Sequence, residues 1–211
     1  MPALVVTAAG GAAGAGARGS DGIRFPPVNR RFDRIQTERL ILRRWLPSDR
    51  APFAAMNADP EVMRYLVAPL DRETSDAFAD RIDARLERQG FGLWALERRD
   101  TGEFIGFTGL NPMPEGTPGA GGQEVGWRLA AGSWHQGYAT EAAKAALDVA
   151  FNGLHLPEIW SITAVVNEPS KAVMRRIGMT EHSFFDHPNV PLTSHVLAHV
   201  AYWRPNPSVA S

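Results

Sequence analysis

The chain has 211 residues, 44% of them hydrophobic, enough to bury one sizeable core and to make a single domain the default. Its net charge of −1 gives no basic excess that would point to bulk nucleic-acid binding, and the absence of cysteine excludes disulfides, thiolate metal sites and a cysteine nucleophile. No apolar run is long enough to span a bilayer, and residues 3–9 are too short a run, with no basic region before them, to read as a signal peptide, so a cytoplasmic protein with no membrane partner is expected.

Residues 1–34 differ from the rest. The stretch Ala8–Ala17 contains only alanine and glycine, and Pro26-Pro27 follows. Such a composition buries too little apolar surface to offset its ordering entropy, and a disordered tail is expected. A folded domain is expected over 35–205, with a frayed end over 206–211.

From Leu40 to Trp45 the alternation predicts a strand. Pro47-Ser48-Asp49 reads as a loop and helix cap ahead of a helix from Arg50 to Asn57. A short helix restarts at Asp59-Pro60, where the missing proline N–H is harmless. A longer one runs from about Glu73 to Gln89, with Ala77, Phe78, Ile82 and Leu86 at helical spacing, and stops near Gly90. Gly92–Glu97 and Glu103–Leu110 read as a hairpin across the polar turn 98–102. The proline- and glycine-rich stretch Asn111–Gly122 is a surface loop.

Gln123–Leu129 reads as a strand with Val125, Trp127 and Leu129 on one face and Glu124, Gly126 and Arg128 on the other. Beyond it, Trp134-His135-Gln136-Gly137-Tyr138-Ala139-Thr140-Glu141-Ala142 forms a short polar loop around a glycine and then opens a helix. Such a turn aims backbone N–H groups outward at the positive end of a helix dipole, which favours an anion, typically phosphate. That helix carries an alanine-rich apolar stripe (Ala139, Ala142, Ala143, Ala146, Leu147, Ala150, Phe151) and ends at Gly153. Ile159–Val166 is an uncharged, β-rich strand, as expected of a central one. Asn167 caps a further helix with Pro169 in its first turn and Gly178 at its end. Met179–Asp186 and His195–Trp203 close the chain as a pair of strands, which would put His195 and His199 on one face.

Four of these segments, in order, resemble the GNAT superfamily of acyl-CoA-dependent N-acyltransferases, and within it the group that includes the Rim-type ribosomal-protein N-terminal acetyltransferases. They are Thr37–Arg43, Asp59–Tyr65, Gly126–Leu129 with Trp134–Ala142, and Asn167–Ser170 with Gly178-Met179. The resemblance covers nearly everything except the tail. It implies an α/β (α+β) fold: a mixed, mostly antiparallel twisted sheet of about seven strands flanked by about four helices, with strands 4 and 5 splayed apart.

The same resemblance implies the chemistry. An acetyl group would pass from acetyl-CoA, as cosubstrate, to a primary amine by direct attack in a ternary complex. The main chain of Trp127, Arg128 and Leu129 would polarise the thioester carbonyl, and His135, Gln136, Gly137, Tyr138, Ala139 and Thr140 would grip the pyrophosphate. Asn167 would bond to the cofactor arm as well as cap its helix. Glu124, acting through a water, is the candidate base, and Ser170 the candidate donor of a proton to the departing thiolate. The bland counterparts are a solvated strand carboxylate, a plain helix cap and an ordinary first-turn serine. Two positions depart from the family pattern: Trp134 stands where Gln or Arg is usual, and Met174 where many members carry a tyrosine acid.

No metal is expected, and His182, His187, His195 and His199 read as surface or packing residues. Asp186-His187-Pro188 and the loops Asn111–Gly122 and Asp186–Ser194 are where an acceptor would be selected, with Phe53, Met56, Asn57 and Tyr65 on the covering helices. The acceptor, a peptide N-terminus or a small amine such as an antibiotic or polyamine, stays open, as does a monomer or homodimer. A non-catalytic acyl-CoA sensor is the reading from a different class.

Overall fold

The computed structural model describes residues 30–208. The alanine–glycine run expected to be a tail lies outside them. Eight strands form one sheet: β1 (Arg34–Gln36), β2 (Leu40–Arg43), β3 (Leu93–Arg98), β4 (Phe104–Pro112), β5 (Gln123–Leu129), β6 (Glu158–Ala164), β7 (Thr180–Asp186) and β8 (Ala198–Pro205). Their order is β1-β2-β3-β4-β5-β6-β8-β7, antiparallel throughout except at β5–β6. The helices are α1 (Arg50–Ala58), α2 (Pro60–Met63), α3 (Arg72–Gln89), α4 (Tyr138–Asp148) and α5 (Glu168–Arg176). The expected mixed α/β architecture forms, with β1 as an additional strand ahead of the seven anticipated, so the splayed pair is β5 and β6.

Local chemistry explains most boundaries. Asp59 caps α2 by accepting from the Glu61 N–H at 2.8 Å, and Asp71 caps α3 by accepting from the Thr74 N–H at 2.8 Å. Gly90 ends α3 in the left-handed conformation, at φ 73°. Asp49, expected as the cap of α1, does something else. It is buried and takes a two-pronged pairing from Arg43 at 2.7 and 2.9 Å, while Arg43 also reaches Glu97 at 2.6 Å. A buried carboxylate is tolerated when a guanidinium satisfies both oxygens, and this demand overrides the capping role.

The two sheet faces carry different fillings. On one, under α1 and α3, Trp45, Phe53, Phe78 and Phe107 pack with ring centroids 4.8–6.4 Å apart. On the other, α4 lies over β4 and β5 on Ala139, Ala142, Ala143 and Ala146, all buried, so its backbone sits close to the sheet. The last turn of that helix widens into a π-helical turn at Val149–Gly153, pressed against Phe32.

Three expectations shift. The folded unit reaches back to a 3-10 turn at Arg30–Phe32, whose phenylalanine is buried. At the other end Asn206 is buried, donating its N–H to Pro157 O at 2.7 Å and its amide to Leu156 O at 2.9 Å, so fraying does not begin at 206. The last strand begins at Ala198, not His195, because the loop after β7 is held by its own turns; His195 is therefore exposed in that loop, Nε2 3.0 Å from Arg64 O, and shares no face with buried His199.

Because α4 meets the sheet largely through alanine, with Tyr138 and Leu147 also buried, adding volume at an alanine there is expected to destabilise the chain. Ala146→Leu should lower unfolding free energy by about 1–3 kcal/mol in urea titrations.

Candidate active site

The sheet opens between its two parallel strands. β5 and β6 share a single bridged pair, Glu124 with Trp160, and diverge beyond it. Ser161 Oγ donates to Val125 O at 2.9 Å just past the bridge. Past this point the alternation of an antiparallel ladder decides which main-chain groups face the gap. Ala130 N–H bonds Ile105 O at 3.0 Å, so Arg128, two residues earlier, also spends its N–H and C=O on β4. Val125, Trp127 and Leu129 are the residues whose main chain turns toward β6. The expected trio Trp127, Arg128 and Leu129 thus reduces to Trp127 and Leu129.

Arg128 serves a different end. Its side chain is fully buried on the α1 and α3 face, where Nη1 donates to Asn57 Oδ1 at 2.6 Å and Asn57 in turn donates to Ser75 Oγ at 2.9 Å. The guanidinium lies 5.5 Å from the Phe107 ring centroid and 5.9 Å from that of Phe78. Burial lowers its pKa to about 9.

After β5 the chain makes a 3-10 turn at Ala131–Ser133 and enters α4 through the loop around Gly137. Trp134 Nε1 donates to Leu129 O at 2.8 Å, so the tryptophan that replaces the family's Gln or Arg closes the strand end instead of offering a charge. His135 and Gly137 both adopt positive φ, 59° and 82°. Histidine is among the side chains that tolerate this conformation. The first bond of the helix runs from Glu141 N to Gly137 O at 3.0 Å, and among the described residues no side chain caps α4. The N–H groups of Tyr138, Ala139 and Thr140 therefore have no carbonyl a turn earlier to meet, at the positive end of the dipole.

These groups open on a groove of about 790 Å³ between the α4 N-terminus and α5. Leu129, His135, Gly137, Tyr138, Ala139 and Thr140 line it, as the sequence predicts. Gln136 does not: its side chain donates back to Gly132 O at 3.0 Å. The sequence reading missed Lys144, Arg175 and Arg176, which place positive charge on the groove wall, Glu38 and Glu168, which oppose it, and Arg39, whose charge is met by Glu141. Lys144 follows Gly137, Thr140 and Glu141 at helical spacing and was findable from that periodicity. Arg39 was not, since it comes from the far side of the sheet.

Asn167 and Ser170 are fully buried and do not line the groove. Asn167 Oδ1 caps α5 by accepting from Ser170 N at 3.2 Å, and its amide donates to Thr163 Oγ1 at 2.8 Å and to Ser170 Oγ at 3.1 Å. Met174, which replaces the usual tyrosine, is fully buried too.

Glu124 lies on the opposite face of the sheet from the groove, beside Trp160. It is 2% exposed, and among the described residues Asn111 reaches it, donating to Oε1 at 3.2 Å. Oε2 is buried without a hydrogen-bond partner among the described residues. Burial pushes its pKa up to about 8, against the lowering pull of Asn111. This is not a solvated strand carboxylate. Further along the same face, the His187 and His199 rings pack tilted at 55° with centroids 4.8 Å apart. Burial, and for His187 the neighbouring His199, holds both imidazoles neutral, His187 at about 4. Packing residues were expected here, and among the described residues no group of three His, Cys, Asp or Glu is arranged to hold a metal ion.

Over this face, Gly119 of the loop after β4 sits so tightly on the Trp160 indole that a Cβ there would fall 2.4 Å from a ring carbon.

The family model "Acetyltransferase (GNAT) domain" matches residues 39–180. The chain is 31% identical over 147 residues to YkkB of Bacillus subtilis, covering 69% of this chain and 84% of that one. It superposes on an acetyltransferase of Agrobacterium tumefaciens with a TM-score of 0.65 at 29% identity, covering 89% of this chain and 99% of that one. RimL, a ribosomal L7/L12 α-N-protein acetyltransferase solved with coenzyme A, superposes with a TM-score of 0.63 over 80% of this chain and 95% of its own; at 15% identity this likeness is one of fold alone.

The buried Glu124 has a consequence for stability. Its carboxyl keeps its proton up to about pH 8 in the folded chain but releases it near 4.5 when exposed. The folded state then binds more protons between these values, and stability falls as pH rises from about 4.5 to about 8. Glu124→Gln abolishes the effect. The melting temperature of the variant minus that of the parent is expected to increase across this window and to level off above it.

Proposed function

Because the chain belongs to the GNAT acetyltransferase family, and is an acyltransferase rather than a silent acyl-CoA sensor, we propose that its groove holds the pyrophosphate and arm of acetyl-CoA while a primary amine attacks from the Glu124 face. One observation carries this reading: a helix N-terminus without a side-chain cap among the described residues, entered through two positive-φ residues, opens into a groove that reaches the end of β5 at Leu129, where the strands have parted. An anion there supplies the missing cap, and the cations Lys144, Arg175 and Arg176 favour the additional phosphate of coenzyme A.

Bound acetyl-CoA supplies the acyl group activated as a thioester. The residues of this chain do the rest. The N–H groups of Trp127 and Leu129, turned into the gap, donate to the thioester carbonyl oxygen, where negative charge grows during attack. Each such donor is typically worth roughly 3 kcal/mol of barrier. Glu124 accepts the amine's proton through a water. Its raised pKa brings it closer to that of an alkyl ammonium, about 10, than an ordinary carboxylate could come. Ser170 faces away from the groove in a closed set of bonds with Asn167, so the departing thiolate draws its proton from water in the open groove. Asn167 acts by fixing the start of α5.

The acceptor is a primary amine, at a peptide N-terminus or on a small molecule. The Rim-type reading would favour the peptide, and it rests on the motif resemblance and on a likeness of fold.

The test is thiol release from acetyl-CoA over a panel of peptides and small amines. Turnover on at least one amine is expected, with kcat/KM rising as pH passes through about 8. Glu124→Gln should lower kcat by about 10²–10⁴-fold and flatten that rise. An unchanged pH profile in the variant removes Glu124 as the base. Bound acetyl-CoA with no release on any amine removes the reaction.

A further inference from the structure

The groove wall contains an arginine whose charge is already spent. Arg39, just ahead of β2, and Glu141, in the first turn of α4, are 102 residues apart in sequence and meet through a set of directed bonds. The Arg39 backbone N–H donates to Glu141 Oε1 at 2.8 Å, and Nε donates to Oε2 at 2.7 Å, with Nη2 2.6 Å from the same oxygen. Thr37 Oγ1 donates to Oε1 at 2.6 Å. Both carboxylate oxygens are thereby occupied. The remaining arm of the guanidinium, Nη1, donates to the carbonyl of Gln136 at 2.8 Å. Its plane lies over the Tyr138 ring, 4.8 Å from the centroid.

An isolated surface ion pair contributes little, because two long side chains must be ordered in water. This pair differs. One donor is backbone, the carboxylate is held from three directions, and Glu141 is only 16% exposed in its side chain. The contact with Gln136 O matters most. That carbonyl belongs to the peptide linking Gln136 to Gly137, immediately before the N–H groups that face the groove. Fixing its direction fixes the peptide plane, and Gly137 suits the position because its φ of 82° is one that side chains rarely adopt; a Cβ there would also press on Arg39 Nη2 at 3.3 Å.

We propose that Arg39 and Glu141 form a positioning clasp that sets the orientation of the phosphate-binding loop, and that Arg39 does not itself serve as a phosphate cation. The proposal rests on the acetyl-CoA reading above. It assigns a shared purpose to two segments, Thr37–Arg39 and the start of α4, that are far apart in the chain.

The experiment compares acetyl-CoA with S-acetylpantetheine, which carries the same thioester and lacks the pyrophosphate. Wild type, Arg39→Ala, Arg39→Lys and Glu141→Gln are each assayed with both donors, alongside calorimetric titration of coenzyme A. With the clasp, Arg39→Ala raises Kd and KM for the full cofactor by about tenfold or more. KM for S-acetylpantetheine and kcat with either donor stay close to wild type. Arg39→Lys keeps the charge but loses the fork, and is also impaired. Glu141→Gln weakens cofactor binding, and gives the same comparison should Arg39→Ala fail to fold.

Full affinity in Arg39→Lys, or tighter binding in Glu141→Gln through a released guanidinium, would show Arg39 acting as a simple cation and overturn the clasp. So would equal losses with both donors, which mark a general structural defect. If wild type itself binds no coenzyme A, the acetyl-CoA reading is what fails.

Discussion

The parting of β5 from β6 is the constraint on which the rest of this structure depends. A parallel pair normally satisfies its main-chain groups along its length, and here one bridge, Glu124 with Trp160, is followed by divergence. Unpaired main-chain groups inside a protein are costly, so each must find a partner. Ser161 Oγ supplies one for Val125 O and the Trp134 indole one for Leu129 O. What remains, the main chain of Trp127 and the N–H of Leu129, is turned toward the gap, where Leu129 reaches the groove wall. The same divergence lets two helices start at the opening: α4 leaves the end of β5 with no cap, whereas α5 leaves the end of β6 fully capped by Asn167. That difference in capping leaves N–H groups at the start of α4 open to a ligand and closes those at the start of α5.

The two faces of the sheet divide the labour. On the groove face, a helix that meets the sheet through alanine brings its N-terminus close to the strand end. On the other, aromatic packing beneath α1 and α3 provides a dry environment in which charged and titratable groups change character. Arg128 is held there by Asn57 and two aromatic rings, and Glu124 holds a proton to about pH 8. Glu124 belongs to this second face, opposite the groove. It stands at the one point where the parted strands still touch, which places a group able to exchange a proton beside the gap without opening it to solvent from the groove side.

Much of this was legible from sequence because it is local. The cap at Asn167, the helix restart at Asp59-Pro60, the glycine stops and the turn around Gly137 are set by residues within a few positions of one another, and all form as expected. The errors have a common origin in demands from elsewhere in the chain. Asp49 reads as a cap, yet Arg43 and the interior claim it. Gln136 sits inside the phosphate loop, yet its side chain turns back to Gly132. Arg128 reads as part of the oxyanion donors, yet ladder alternation against β4 turns its main chain away. His195 reads as a strand residue, yet the loop after β7 extends past it.

By itself, then, the sequence determined the order and type of the elements, the family resemblance, and the chemistry of a glycine-centred turn that leaves helix N–H groups free, since all of these follow from short-range backbone sterics and residue periodicity. Only the tertiary structure decided which of those groups face the groove, that Glu124 is dry, and that Arg39 and Glu141 meet across 102 residues to brace the loop. The reason is physical. Burial, pKa and the direction of a peptide plane are properties of contacts between distant segments, and no local pattern carries them.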